Sequence, residues 1–387
     1  MRMTLMGRRE LLDAVLVRYR RAGKKEKTRL LNEFVANTQY HRQYALALLS
    51  GHKAHHKASI RRRKHTYTQE ATDALVVIWT VCDRIASRRL HPFVPEMVRI
   101  LEKQGSLHLT PTTRELLLTM SRATMDRLLK PARRALVPHG RSTTKPGTLL
   151  KKSIPIRTWA DWDDAKPGFL EIDLVAHCGE STEGDYLATL NCVDVSTGWC
   201  ECAVPRNRGE LAVRAALEEI RQRLPLPLLG IDSDNGPEFI NDHLKRYCDQ
   251  EKLTFTRSRP YKKNDQARVE GKNWTVVRRY VGYDRYEGDL ARLALNDLYK
   301  DVWLYVNFFQ PVMKLIGKTR VDGKVKKVYD KAQTPYQRVL ASPDVSQESK
   351  DRLTALYQTL DPVALHTKIK TQLERIWKLY PVRKGAE

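Results

Sequence analysis

Runs of apolar residues predict a mixed α/β sheet in the middle of the chain. Three short apolar runs come first, and an amphipathic helix follows with Val213, Leu217 and Ile220 on one stripe. Two further strands then alternate with two further helices. The predicted order is β-β-β-α-β-α-β-α, over 168–176, 185–195, 199–205, 209–223, 226–232, the segment after Pro237, 252–256 and 266–281.

Helical spacing of apolar residues dominates the chain before this sheet. Residues 8–21, 26–36 and 40–49 predict three helices with a largely basic polar surface. A second group is predicted over 68–86, 94–104, 112–119 and 121–135, where Ser121 can cap a candidate recognition helix. Each group is typical of a helix-turn-helix DNA-binding unit, although ordinary three-helix packing explains both patterns nearly as well.

Proline and glycine mark a linker between these helices and the sheet. Pro138, Gly140, Pro146, Gly147 and Pro155 stand there among Arg, Lys, Ser and Thr. We therefore predict five regions. They are a helical DNA-binding region with a basic arm (1–66), a second helical DNA-binding region (67–137), a linker (138–166), an α/β core (167–283) and a C-terminal helical region with a basic hairpin (284–387).

The C-terminal region is predicted to be mainly helical. One long amphipathic helix covers 288–309, and a final helix runs from Asp361 to about Leu379. Between them, the segment 320–325 has Asp-Gly at its centre, which is typical of a two-residue hairpin turn. The flanks of this hairpin are basic and suggest a contact with DNA.

The net charge of +24 is unevenly distributed. Residues 1–150 carry 30 Lys/Arg against 11 Asp/Glu, and residues 271–387 carry 22 against 13. Residues 171–270 instead carry 13 Lys/Arg against 18 Asp/Glu. Basic arms attract a polyanion, and an acidic centre admits it only when cations are present. The charge alone does not distinguish DNA from RNA or from a membrane surface.

Cysteine usage and hydropathy bear on the compartment. The six cysteines form no C-x-x-C pair, so we expect free thiols in a reducing cytoplasm. No apolar run approaches the ~18 residues that a membrane span requires, and the first residues lack a signal-peptide core. We therefore expect a cytoplasmic protein without a membrane partner.

Three acidic residues occupy positions where the surrounding pattern does not favour charge. Asp173 lies inside an apolar strand, Asp234 follows a second one, and Glu270 lies where a polar loop becomes a helix, with 35 residues between the last two. Any one of them alone is more simply a salt-bridged or solvated side chain. Together they favour a site for divalent cations, because Mg²⁺ prefers oxygen ligands and two such ions can promote phosphoryl transfer.

The stretch 168–282 resembles the catalytic core of the retroviral-integrase superfamily, which many bacterial insertion-sequence transposases share. The resemblance rests on Glu-Ile-Asp-Leu (171–174), Ser-Asp-Asn-Gly-Pro-Glu-Phe (233–239) and Arg-Pro-Tyr-Lys-Lys-Asn-Asp-Gln-Ala-Arg-Val-Glu (259–270). It implies an RNase H-like α/β core with a mixed five-stranded sheet flanked by helices. An all-α, helix-turn-helix-type N-terminal region and a mainly helical C-terminal region complete the expected fold.

The same resemblance implies a D,D(35)E DNA transposase. Such an enzyme cleaves DNA at transposon ends and transfers the freed 3′-OH into target DNA. Asp173, Asp234 and Glu270 would be its catalytic residues and the ligands of two Mg²⁺ or Mn²⁺ ions, with Asp173 bridging both. A homo-oligomer on DNA, associated with the bacterial nucleoid when DNA-bound, is also expected.

Basic and polar residues near these motifs are the predicted DNA contacts. They are Arg61, Arg62, Arg63 and Lys64 in the basic arm, Arg122 and Arg127 in the candidate recognition helix, and Arg259, Tyr261, Lys262, Lys263, Asn264, Gln266, Lys272 and Arg278 around Glu270. Many relatives place a Lys or Arg two helical turns beyond the Glu. This chain has Val277 there, so the DNA-gripping base stays unassigned among Lys272, Arg278 and Arg279. His177, four residues after Asp173, has two open roles, in phosphate contact or in structure.

Two other functions compete with transposition. A metal-dependent nuclease of the RNase H type would use the same fold, but it usually adds a fourth acidic ligand. A catalytically silent DNA-binding repressor derived from a transposase would need only the basic N-terminal half. An intact carboxylate triad is of no use to such a repressor and argues against it.

Overall fold

The computed structural model describes residues 3–51, 67–134, 166–234, 239, 242–258, 266–321 and 324–380. The chain divides into two compact units, Met1–Thr66 and Tyr67–Glu387. In the described ranges, no helix is both long enough and apolar enough to cross a bilayer.

The first unit is a three-helix bundle. It contains α1 (Leu5–Arg21), α2 (Lys24–Thr38) and α3 (Arg42–Leu49), which pack around a small apolar core that includes Phe34. Helix α2 ends where Gln39 adopts a left-handed conformation with φ 54°, in the gap between the helices predicted over 26–36 and 40–49.

In the described range 67–134, six short helices precede the sheet. The prediction of one helix over 68–86 is too long, because Asp83 and Arg84 adopt positive φ angles of 54° and 57° and end the helix before them. The helices are α4 (Gln69–Val81), α5 (Ser87–Leu90), α6 (Val94–Lys103), α7 (Pro111–Thr119), α8 (Arg122–Leu128) and α9 (Lys130–Arg134), with a 3₁₀ turn at His91–Phe93.

The predicted mixed five-stranded sheet is confirmed. Its spatial order is β3-β2-β1-β4-β5, in which β2 lies antiparallel to β1 and β3, and β4 lies parallel to β1 and β5. The carboxyl ends of β1, β3, β4 and β5 therefore share one edge of the sheet. The strands are β1 (Phe169–Ala176), β2 (Ala188–Asp194), β3 (Cys200–Ala203), β4 (Gly230–Ser233) and β5 (Thr254–Arg257).

Helices flank this sheet in the predicted order. Helix α10 (Glu210–Arg223) follows β3, and α11 (Asp242–Gln250) lies between β4 and β5. The helix predicted over 266–281 is present with an interruption. It begins as α12 (Ala267–Lys272), continues as a π-helical segment over Asn273–Arg278, and ends as α13 (Arg279–Val281).

A long helix, α14 (Gly288–Phe309), covers the free edge of β3. The side-chain amide of Asn307 accepts from the Cys200 amide at 2.9 Å and donates to the Cys200 carbonyl at 2.8 Å. Asn296 makes the equivalent pair of bonds to Val204 at 2.9 and 3.2 Å. These side chains satisfy edge groups that would otherwise be open to pairing with another strand.

The predicted C-terminal hairpin is present, and helices precede and follow it along the chain. Strand β6 (Leu315–Val321) pairs antiparallel with β7 (Lys324–Tyr329), so only two residues connect them. Helices α15 (Pro335–Ala341) and α16 (Gln347–Thr359) were not among the predicted elements, whereas the final helix α17 (Pro362–Leu379) was.

One apolar core joins the elements of the second unit. Buried side chains from α4, the sheet, α14 and α17 belong to a single contiguous cluster. The helices before the sheet in this unit therefore share one core with the sheet and with α14 and α17. The domain boundaries predicted inside this unit stay predictions.

Candidate functional site

Three acidic residues of the central strands lie on one face of the sheet. The parallel register of β1 and β4 pairs Glu171 with Asp232, and Asp173 lies two residues after Glu171. Because side chains alternate along a strand and paired residues share a face, these three point to the same side of the sheet. Asp234 directly follows the last residue of β4, at the carboxyl edge that this strand shares with β1.

Glu171 fixes the start of the helix that carries Glu270. Its side chain is fully buried, and its Oε2 accepts from the backbone amides of Arg268 and Val269 at 3.0 Å each. The guanidinium of Arg268 adds a bond to Oε1 at 3.1 Å. A carboxylate at a helix N-terminus is favoured by the unpaired amides and by the helix dipole. The strand thus holds α12 against the face that carries Asp173.

Asp232 fixes the segment just before that helix. Its buried carboxylate accepts from the Thr256 hydroxyl at 2.7 Å and from the Gln266 side-chain amide at 3.3 Å. The same amide group donates to the Asp232 carbonyl at 3.2 Å. Gln266 is only 6% exposed, so its predicted contact with DNA is not supported. Its amide instead ties the chain before α12 to β4.

Two asparagines that the sequence did not single out position Asp173, Asn273 by a direct hydrogen bond and Asn191 through Asn273. Asn273 Nδ2 donates to Asp173 Oδ2 at 2.5 Å, and Asn191 Nδ2 donates to Asn273 Oδ1 at 2.8 Å. The Leu174 amide donates to Asp173 Oδ1 at 2.8 Å. Asn273 follows Glu270 by three residues, which places the two on neighbouring positions of one helix face. Asn191 lies directly opposite Asp173 in the β1–β2 register.

The three predicted metal ligands are unequally exposed. Asp173 and Asp234 are half-buried, whereas Glu270 is exposed. Within the described parts of the chain, no group of three or more His, Cys, Asp or Glu side chains is arranged to hold a metal ion. Asp173 lies in β1, Asp234 directly follows the neighbouring strand β4, and Glu270 lies in α12.

The π-helical segment changes which residues follow Glu270 on the helix face. Bonds from i to i+5 widen the turn and rotate the residues after it relative to a continuous α-helix. Val277 is fully buried as a result. Arg278 instead lies at the end of β1, where Nη2 donates to the Ala176 carbonyl at 2.7 Å and the guanidinium stacks 4.6 Å from the centre of the Tyr283 ring.

The side chains of the other two basic residues near this helix are directed at other parts of the protein. Lys272 is 8% exposed, and burial lowers the pKa of its ammonium, so its predicted DNA contact is not supported. Arg279 pairs with the Asp83 carboxylate at 2.9 Å. Of the three candidates for a DNA-gripping base, Arg278 is the one beside the carboxyl edge of β1.

His177 has a structural environment. Its ring is fully buried, and Nε2 lies 2.7 Å from the Thr189 hydroxyl, which in turn lies 2.9 Å from the Tyr299 hydroxyl. Burial, with a smaller contribution from Arg278, lowers the pKa of His177 to about 3. A neutral, enclosed imidazole is not placed to contact a phosphate, so the structural alternative is favoured.

The remaining predicted DNA contacts fall into two groups. Arg122 and Arg127 are exposed on α8, where the Arg127 guanidinium donates to the Thr124 hydroxyl at 3.0 Å and Ser121 caps the helix as predicted. The others lie outside the described residues, namely Arg61, Arg62, Arg63, Lys64, Arg259, Tyr261, Lys262, Lys263 and Asn264.

Comparison with known proteins agrees with this topology. Residues 163–263 match the integrase core domain family. The chain is 42% identical over 339 residues to "Uncharacterized protein y4rM" of Sinorhizobium fredii (strain NBRC 101917 / NGR234), a match that covers 87% of this chain and 96% of that protein.

Two solved structures are similar to part of the chain. The catalytic core domain of BIV integrase is 18% identical and covers 44% of this chain and 91% of its own, with a TM-score of 0.29. The HTLV-2 integrase catalytic core domain in complex with magnesium is 14% identical and covers 39% and 93%, also with a TM-score of 0.29. At these scores the likenesses add no argument to the strand order described above.

Proposed function

The chain belongs to the superfamily of proteins with an RNase H-like integrase core, and from this premise we propose that it is a DDE-type DNA transposase. In this proposal it cleaves DNA at the ends of a bacterial insertion sequence and transfers the freed 3′-OH into target DNA. DNA is its partner, and a homo-oligomer joins the two transposon ends.

One observation carries the proposal. β1 and β4 lie side by side and parallel, with Asp173 in β1 and Asp234 directly after β4, and the start of the helix that bears Glu270 is bonded to Glu171. Burial of a carboxylate is costly unless it is bonded, and the Arg268 and Val269 amides and the Arg268 guanidinium supply those bonds to Glu171. These contacts support the proposal that Asp173, Asp234 and Glu270 act together at this edge of the sheet.

The residues at this edge suit Mg²⁺ or Mn²⁺ by their chemistry. Asp173, Asp234 and Glu270 would hold the cations, because hard divalent ions prefer carboxylate oxygens to thiols or imidazoles. Two bound ions would lower the pKa of a water and stabilise the attacking and leaving oxygens of the phosphoryl transfer. Carboxylates repel one another until neutralised, so we expect Glu270 to join the pair only as cations bind.

The chain's own groups have separate parts in this proposal. Asn273 donates to one Asp173 oxygen and the Leu174 amide donates to the other, so the orientation of this carboxylate is fixed. Arg278, at the end of β1, is the proposed contact to a DNA phosphate near the reaction. The exposed Arg122 and Arg127 on α8 are proposed to contact the DNA backbone further away.

The test is a set of isosteric substitutions. We expect Asp173→Asn, Asp234→Asn and Glu270→Gln each to abolish nicking and strand transfer on a DNA substrate with transposon ends, while metal-free DNA binding persists. Chelation with EDTA should reproduce the loss in the parent protein. Asp297→Asn is the matched control, because this exposed carboxylate on α14 pairs with Lys300 on the same helix. Strand transfer by any of the three variants at the parental rate would refute the site.

The nuclease alternative makes a different prediction. An RNase H-type enzyme usually adds a fourth acidic ligand, but Glu171 and Asp232, the two further acids on this face of the described sheet, are buried and bonded to α12 and its approach. Digestion of an RNA/DNA hybrid without strand transfer would favour the nuclease. DNA binding without any metal-dependent product would favour the repressor.

A further inference from the structure

The antiparallel ribbon formed by β6 and β7 is fixed at its base. Lys314 and Asp330 exchange bonds across the base, from the Lys314 amide to the carboxylate at 2.7 Å and from the Asp330 amide to the Lys314 carbonyl at 3.0 Å. Arg338 pairs with the same carboxylate at 2.8 Å. The Lys314 ammonium donates to the Ser196 carbonyl at 2.8 Å and so joins the ribbon to the turn between β2 and β3.

Beyond this base the ribbon is open to solvent. Ile316 and Val328 are 64% and 42% exposed, and Thr319, Lys326 and Lys327 are exposed as well. A lone two-stranded ribbon is at best marginally stable in water, so such an element normally has a partner. A fixed base with exposed strands beyond it is typical of an arm that contacts its partner at a distance from the rest of the protein.

The charge of the ribbon selects the partner. Residues 315–329 contain five Lys/Arg and one Asp, and Lys326 and Lys327 are both exposed on β7. The acid at its base, Asp330, is already bonded to Arg338. Exposed Arg88, whose guanidinium lies 4.9 Å from the Tyr329 ring centre, extends the basic surface to α5.

The ribbon meets the sheet at the edge opposite the acidic residues. Ser196 follows β2, whose last residue, Asp194, pairs with Leu170 near the start of β1. Asp173 lies three residues beyond Leu170, roughly 10 Å further along the strand. The base of the ribbon therefore lies on the side of the sheet where β1 begins, and Asp173 lies toward the other end of that strand.

We propose that the β6–β7 ribbon is a DNA-backbone arm that adds affinity for duplex DNA without taking part in the chemistry. It rests on the proposed function only in assuming that the partner is DNA. A two-stranded ribbon matches the width of the major groove, and lysines at its surface can contact phosphates on either side. A second copy of the chain, paired along the ribbon edge, is the competing occupant.

The test is the salt dependence of DNA binding by the full-length protein in EDTA, with a short fluorescent duplex of arbitrary sequence as the probe. We expect Lys326→Ala/Lys327→Ala to weaken binding and to reduce the slope of log K against log salt by about two, near 0.9 for each phosphate that the variant no longer neutralises. Lys300→Ala/Lys370→Ala is the matched control, because these exposed lysines lie on α14 and α17 and remove the same charge. A slope equal to that of the control would overturn the proposal.

A photo-crosslinking residue at Thr319, which is exposed on β6, gives an independent measurement. We expect its crosslinks to join DNA, and crosslinks to a second protein chain would identify the competing occupant instead. On a cleavable substrate at saturating DNA, the ribbon variant should cut at the parental rate. Failure of cleavage in every variant would reject the transposase function alone, because binding and crosslinking are measured without it.

Discussion

The structure indicates a role for Asn273 that the sequence did not predict. It bonds Asp173 and is itself bonded by Asn191, so one amide links a strand carboxylate to the helix that bears Glu270. Side chains that orient a metal ligand are often nearly as important as the ligand itself. Asn273 is therefore a proposed positioning residue that acts through Asp173.

Replacement of Asn273 by Ala should lower the rate of strand transfer by roughly 10–100-fold, the range seen when partners of metal ligands are removed. The Mg²⁺ concentration for half-maximal activity should rise, because Asp173 loses its fixed direction. Thr275→Ala is the control, since that exposed hydroxyl bonds the Gly271 carbonyl of the same helix. An unchanged Mg²⁺ titration in the Asn273 variant would exclude the positioning role.

His177 provides a test of burial through pH. Its pKa is about 3 in the folded chain against an ordinary value of 6.5, because the buried site disfavours the imidazolium. The folded-state pKa is depressed, so the contribution to stability is complete above pH 6.5 and is lost as the pH falls from there toward 3. At pH 5 this loss amounts to about 2 kcal/mol.

We therefore expect the parent protein to lose more unfolding free energy than His177→Gln between pH 7 and pH 5, by about that amount. Urea unfolding at the two pH values measures the difference. Parallel pH profiles for the two proteins would mean that the imidazole is solvated in the folded state.

At the scale of elements, the contact between α12 and β1 positions the residues of the candidate site. Glu171 accepts from two consecutive amides at the start of α12, and Asp232 bonds Gln266 just before it. The π-helical segment Asn273–Arg278 then sets the rotation of the helix beyond Glu270 and places Arg278, rather than Val277, beside the end of β1. Strand register and helix entry together decide which side chains meet.

Removal of the Glu171 carboxylate should destabilise the contact between α12 and β1. In Glu171→Ala, the Arg268 and Val269 amides lose their acceptor, and we expect a loss of roughly 2–6 kcal/mol in unfolding free energy at about 1–3 kcal/mol for each unsatisfied donor. Glu171→Gln keeps one acceptor oxygen and should lose less. Equal stability of Glu171→Ala and the parent protein in urea would show that these amides find other partners.

At the scale of the whole molecule, charge is separated along the chain. The acidic stretch 171–270 lies between basic N-terminal and C-terminal regions, and the acids of its central strands gather on one face of the sheet. The proposed ribbon arm and the proposed α8 contact lie outside those strands. In the proposed function, DNA would be attracted by one set of surfaces and processed at another, so that affinity and chemistry would be separately mutable.

Much of the core could be predicted from the sequence. Strands β1 to β3, helices α10 and α14, the final helix and the hairpin follow from local periodicity and from turn residues such as Asp322-Gly323, because these signals act over a few neighbours. Local signals did not predict where α4 ends, since Asp83 and Arg84 adopt positive φ angles that those residues seldom take. Local signals also did not predict the π-helical segment Asn273–Arg278.

The sequence by itself determined the element order, the charge asymmetry and the identity of the carboxylates that stand out from apolar surroundings. Only the tertiary structure decided that Gln266, Lys272 and His177 are buried, that Asn273 and Asn191 hold Asp173, and that the ribbon leaves the sheet at the opposite edge. The physical reason is the separation along the sequence of the residues that make contact. Helix and strand preferences depend on neighbours a few residues away, whereas these contacts join residues roughly 80 to 120 positions apart and form only when strand register and helix packing are fixed.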